Sequence, residues 1–343
     1  MKNLQHRASY KNVTIFSVLC ILVLNSCAAS RLQNVQLSIR QQDWQKAQHD
    51  LEESIQHNPR DGEALLLLAE VYGELDMVDK MMSTIHTLRK LSPKYEEPTT
   101  FLVKKYWLQN FDLGVKQFNV KAYNEALASF YRSVLIDSSN EYSIQKYADA
   151  LFMTGQYYES EKIYGQLLLK EPENIVLMNN LSEIFFIEKQ YQKSIRLCNE
   201  ILALDDQQTN ALMRRAYSYN ALGQMKNAEQ DYRLLAEKNP SERILTDLGL
   251  MYFRNHKYSE AVKQFEAALE FSKNPLQLFH YLGECNWKMK NYPAMVTWYQ
   301  KVVEMNPNDL VGWKNLAVSY EALGKRQLLS EARLQINKII RTN

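Results

Sequence analysis

The chain has 343 residues, 23% of them charged and 46% hydrophobic, and its ten glycines and eight prolines are too few for long low-complexity tracts. Its formal charge is +2, and Lys2, Arg7 and Lys11 place three cations before residue 27, so the remainder sums to about −1. A body this close to neutral offers no basic stripe to displace counterions, which excludes nucleic acid from the expected partners.

The chain begins with those three cations and an apolar run of twelve residues, Val13–Leu24. The run has the length and flank of a signal-peptide core and is short for a bilayer span. Leu24-Asn25-Ser26-Cys27 follows and resembles a bacterial lipobox. That resemblance implies a lipoprotein signal peptide over 1–26 and an acyl anchor on Cys27, whose chains hold it to a membrane through their buried methylenes. Ala28, where an Asp would retain a lipoprotein at the inner membrane, favours the periplasmic face of the outer membrane. An uncleaved anchor or an ordinary secretory signal is the other reading.

Beyond residue 27 one pattern recurs. Trp44, Ala47, Leu51 and Pro59 mark a first, degenerate unit; Leu65, Leu68, Ala69, Tyr72 and Pro93 mark a second, with Met81 where a small residue is usual. Pro59 to Pro93 is 34 residues. About eleven extra residues then fall within 94–106, where Pro98-Thr99-Thr100 suggests a helix start and an extended first helix for the third unit. From there the register is regular: Gly114, Tyr123, Ala126 and Phe130; Ala148, Tyr157 and Tyr164; Ser182, Tyr191, Ser194 and Cys198. Ala216, Ala228 and Tyr232 follow, then Gly249, Tyr258, Ala261 and Phe265. Gly283, Tyr292 and Tyr299 make the eighth unit, and Trp313, Ala317, Tyr320 and Gly324 the ninth. These spacings resemble the tetratricopeptide (TPR) repeat, a pair of antiparallel helices with small residues at the crossing and large ones in the gap.

The resemblance implies an all-α TPR solenoid, a right-handed superhelix of about nine helix-turn-helix repeats. The expected divisions are an acylated N-terminus with two degenerate units (27–93), an inserted connector (94–106), and a seven-repeat array (107–343). The last helix alternates Leu328, Ile336, Ile339 and Ile340 with Arg326, Arg333, Lys338 and Arg341, as a capping helix requires.

No constellation in the chain points to catalysis. The six histidines are scattered without metal-ligand spacing, and neither a phosphate-binding glycine loop nor a GxSxG elbow is present, so no enzyme, metal or cofactor is expected. Cys198 and Cys285 sit three units apart and read as separate buried thiols.

In proteins of the resembling family the first helices line the concave side and bind peptides. The residue after the Tyr position of each first helix is Phe118, Phe152, Phe186, Asn220, Phe253 and Trp287, and three residues earlier stand Asp149, Glu183 and Glu284. One helical turn separates the two sets, so rings and acids share a face suited to a peptide with apolar anchors and basic character. The competing reading is that these rings pack on adjacent helices. The resemblance implies a protein-binding adaptor in the bacterial cell envelope. The alternatives are a structural part of an envelope assembly machine, or a module that stacks peptidoglycan or other carbohydrate on the aromatic stripe.

Overall fold

The computed structural model describes residues 33–342, and every regular element among them is helical. The signal segment 1–26 and Cys27 lie outside the described residues. Helices follow in pairs: α1 (33–40) with α2 (Trp44–His57), α3 (Gly62–Glu74) with α4 (Val78–Leu91), and α5 (Glu96–Asn119) with α6 (Tyr123–Ile136). Next come α7 (Glu141–Met153) with α8 (Tyr157–Lys170), α9 (Ile175–Ile187) with α10 (Tyr191–Leu204), and α11 (Thr209–Ala221) with α12 (Met225–Lys238). The last are α13 (Glu242–Arg254) with α14 (Tyr258–Leu269), α15 (Leu276–Lys288) with α16 (Tyr292–Met305), and α17 (Leu310–Ala322) with α18 (Arg326–Thr342). The described residues thus contain nine helical hairpins, as the spacing predicts. Packing divides the chain into two compact units, one ending at Leu167 and the other starting at Leu168.

Each hairpin is shaped by local chemistry. Five of the first helices start on side-chain caps: Asp61, Asn140, Asn174, Ser241 and Asp309 each accept from backbone amides of the first turn. Every first helix ends the same way, with one residue in the left-handed region: Gln42, Asp76, Lys121, Gly155, Lys189, Gly223, His256, Lys290 and Gly324. The amide that follows each of these donates back to the carbonyl five residues earlier, at 2.7–2.9 Å, as Gln190 does to Phe185 and Lys257 to Tyr252. This is a Schellman closure, which satisfies two terminal carbonyls and reverses the chain.

Between the helices, a small residue on the first faces a large one on the second. A Cβ added to Gly249 would lie 2.5 Å from the Phe265 ring, one on Gly283 2.5 Å from Tyr299, and one on Gly114 2.7 Å from Phe130. The second helices carry a fully buried residue at the crossing itself: Ala47, Met81, Ala126, Ser160, Ser194, Ala228, Ala261 and Met295. The two serines keep their hydroxyls satisfied inside the hairpin, Ser160 donating to the Ala148 carbonyl at 2.9 Å and Ser194 to that of Ser182 at 3.0 Å.

The period breaks at α5. It runs 24 residues, against 13 in each first helix from α7 to α17, and Pro98 falls in its first turn, where a missing amide costs nothing. Its first half places Thr99, Leu102 and Tyr106 against the first two hairpins, the Tyr106 hydroxyl donating to the Glu70 carbonyl at 2.9 Å. Its second half puts Phe111 into a separate cluster with Ala126, Phe130 and Ala150. Residues 94–106 accordingly lie in the 3-10 turn Pro93–Tyr95 and the start of α5.

Candidate functional site

The predicted ring positions fall in the last turns of the first helices of each unit. Phe118 ends α5, Phe152 lies near the end of α7, Phe186 in α9, Phe253 in α13 and Trp287 in α15. Four of these rings share a contact that follows from the turn. The closure places the Tyr that opens each second helix five residues after the Phe, and the two rings meet. Phe118–Tyr123 centroids are 5.2 Å apart, Phe152–Tyr157 5.7 Å, Phe186–Tyr191 5.7 Å and Phe253–Tyr258 5.4 Å. Such tilted and edge-on pairs stabilise the hairpin bend while each Phe remains half-buried. Trp287 differs: it is 45% exposed, and the Lys288 ammonium sits 4.4 Å from its ring centre.

The three acids differ as much. Asp149 accepts from Lys146 at 2.9 Å and from the Tyr164 hydroxyl at 2.5 Å, so its carboxylate joins the two helices of one hairpin. Glu183 is bound by the guanidinium of Arg214, whose Nε donates at 2.9 Å and whose Nη2 reaches the same oxygen. Glu284 makes no hydrogen bond or ion pair among the described residues and lies one turn before Trp287 on α15. Of the predicted ring-and-acid pairs, Glu284 with Trp287 is therefore the one whose ring and carboxylate both remain open.

Three polar links escaped the sequence reading. Arg215 holds Asp231 bidentately, at 2.8 and 2.7 Å, with Asp231 only 4% exposed. Tyr217 donates to Asp247, and burial followed by that bond pushes its hydroxyl pKa up to about 12. His280 Nε2 lies 3.1 Å from Asp309 Oδ2. A sequence signal existed only for the first: Arg215 stands where the matching positions of the neighbouring units hold Leu113, Tyr147, Leu181, Leu248 and Leu282. A cleft of about 470 Å³ also opens beside the α3–α4 turn, lined by Met77, Tyr131 and Leu135 and bridged by Arg132 Nη2 to Asp76 Oδ2 at 2.6 Å.

Neither thiol is placed for chemistry. Cys198 and Cys285 are free and fully buried, and burial pushes the Cys285 thiol up to about 12 and raises that of Cys198. No group of three or more metal-ligating side chains occurs among the described residues, and none of their helices is long and apolar enough to cross a membrane.

Paired helices stacked in series, with a small-to-large crossing repeated every 33 or 34 residues, define a helical repeat protein. Tetratricopeptide repeat family models match residues 32–75, 210–241 and 276–309, so the chain carries tetratricopeptide repeats. Among curated proteins it is 26% identical over 147 residues to the tetratricopeptide repeat-containing protein trd-1 of Caenorhabditis elegans, covering 33% of this chain and 19% of that one. It is 22% identical over 176 residues to an Hsp70-Hsp90 organising protein of Plasmodium falciparum, covering 51% of this chain and 68% of that one. Six further relatives are covered over 15–30% of their own length. Among solved structures, the C-terminal part of a TPR repeat-containing protein from Cytophaga hutchinsonii superposes with a TM-score of 0.60 at 16% identity. That match covers 68% of this chain and 96% of the other, and it shows the fold. The architecture is an all-α TPR solenoid.

Proposed function

We propose that this protein is a membrane-anchored adaptor of the bacterial cell envelope, acylated at Cys27, that captures a protein partner on the face of its first helices. The carrying observation is the repeated ring position of those helices, which in α15 presents an open Trp287 beside the unpaired carboxylate of Glu284. An indole with an acid one turn away suits an extended or helical segment that offers an apolar anchor followed by a cation. Phe186 is less suited, since Tyr191 and Tyr217 already flank it and Arg214 already binds Glu183. The lipobox over Leu24–Cys27 supports the anchor, and Ala28 supports the outer membrane.

The adaptor reading is tested by a photo-reactive residue in place of Trp287, in cells that make the protein, with a control at exposed Glu304 on α16. A discrete protein crosslinked at 287 and not at 304 is expected; equal or absent crosslinking overturns the assignment. The anchor is tested separately by fatty-acid labelling and fractionation. Cys27→Ser is expected to abolish labelling and release the chain from the membrane pellet, and retained labelling overturns acylation at this residue.

A further inference from the structure

In six consecutive hairpins the residue four places after the crossing on the second helix is Phe130, Tyr164, Cys198, Tyr232, Phe265 and Tyr299. Five are rings, none more than 3% exposed. The fifth hairpin has a thiol there, opposite Ser182 and Ser194, so three small side chains face one another. The space is filled from the next hairpin by Arg214, whose side chain is 11% exposed. Its Nη1 donates to Ser182 Oγ at 2.6 Å and to Asn179 Oδ1 at 3.4 Å, and its Nε donates to Glu183 Oε2 at 2.9 Å. The Cys198 thiol lies within hydrogen-bonding reach of Ser182, Ser194 and Arg214. Ser218 completes the lining, donating to the Arg214 carbonyl at 2.8 Å and standing 3.5 Å from Ser194 Oγ.

We propose that this socket makes the junction of the fifth and sixth hairpins a charge-locked joint, at which the second unit opens locally while its other hairpins stay closed. Two physical differences from the ring-filled hairpins support it. A ring leaving the space above Gly249 or Gly283 would leave an apolar void, which stays dry and costs packing energy. Arg214 leaving its socket would expose hydroxyls, an amide oxygen and a carboxylate, all of which water satisfies, so the open state is less costly. The closed state also depends on one carboxylate, because a guanidinium this enclosed needs its counter-charge. The consequence reaches the candidate face: Phe186 on α9 and Tyr217 on α11, with centroids 6.3 Å apart, ride on the two helices that Glu183 and Arg214 join. Opening the joint separates these two rings. The inference stands on the packing alone and does not need the adaptor reading.

Hydrogen exchange on the full chain, resolved by helix, tests the joint. Amides of α9 and α11 are expected to exchange about ten-fold faster than those of α13 and α15, even though all four are packed first helices. Glu183→Gln is expected to raise exchange in α9 and α11 by a further ten-fold or so, with α13 to α16 unchanged. Filling the socket with the double substitution Cys198→Phe and Arg214→Leu is expected to bring α9 and α11 to the protection of α13. Equal wild-type protection in the two pairs overturns the proposal. So does a Glu183→Gln effect that is absent or spread evenly over all helices, and this arm does not depend on whether the double variant folds.

Discussion

The fifth and seventh hairpins have helices of similar length and the same turn closure, and they differ in what lies between those helices. In the seventh, Phe265 is fully buried against Gly249, stacks on Tyr281 at 5.1 Å between centroids, and needs nothing charged. In the fifth, Cys198 leaves a gap that an arginine from the neighbouring hairpin fills, at the expense of an acid that would otherwise be free. The repeat therefore fixes the volume to be filled but not the chemistry that fills it. An apolar filling closes the crossing with the hairpin's own ring, while the polar filling brings an arginine of the neighbouring hairpin into it.

The largest expected effect breaks the ring-filled side. Phe265→Ala should cost about 3–5 kcal/mol in urea unfolding, since a ring is lost and a rigid crossing cannot collapse into its place. Cys198→Ala removes one buried sulfur from a polar-lined space and should cost about 1 kcal/mol, and a loss as large as that of Phe265→Ala would refute the distinction. Between them falls Gly283→Ala, which drives a methyl into the Tyr299 ring and should cost about 1–3 kcal/mol by thermal unfolding despite alanine's better helix propensity.

Smaller effects sharpen the comparison at shared features. Lys189 and His256 hold the same left-handed turn position that glycine holds at 155, 223 and 324. Lys189→Gly and His256→Gly should each stabilise by up to about 1 kcal/mol, and Gly223→Ala should destabilise by a similar amount. Equal responses at 189 and 256 would show that the turn is independent of how the hairpin is filled.

The last prediction concerns acid. Hydrogen bonds donated by Gln48 and Tyr72 hold the Glu52 carboxyl below the usual glutamate range. A group lowered on folding contributes its stability above the unfolded value and loses it as pH falls through the folded one. Acid unfolding of the first unit should therefore be shallower in Glu52→Gln than in wild type below the ordinary glutamate range, and unchanged at neutral pH apart from a constant offset. An acid limb identical in the two proteins would remove Glu52 from this role.

The sequence by itself determined the hairpins and their register. Small residues at 114, 148, 182, 216, 249 and 283, each facing a residue sixteen places on, can repeat in that way only if paired helices cross there, and the turn residues punctuate them. It also placed each ring in the last turn of its own first helix, because helical spacing fixes direction. What it did not reveal is which members of that face are free. Whether Glu183 faces solvent depends on Arg214, 31 positions away in the next hairpin, and Asp149 is likewise bound by Tyr164 from the facing helix. Whether a Phe of the stripe is open depends on the Tyr five residues later, which the turn folds back onto it. Local periodicity sets where a side chain points, while its availability is set by what the next helix brings to meet it. Only the tertiary structure supplies that second partner.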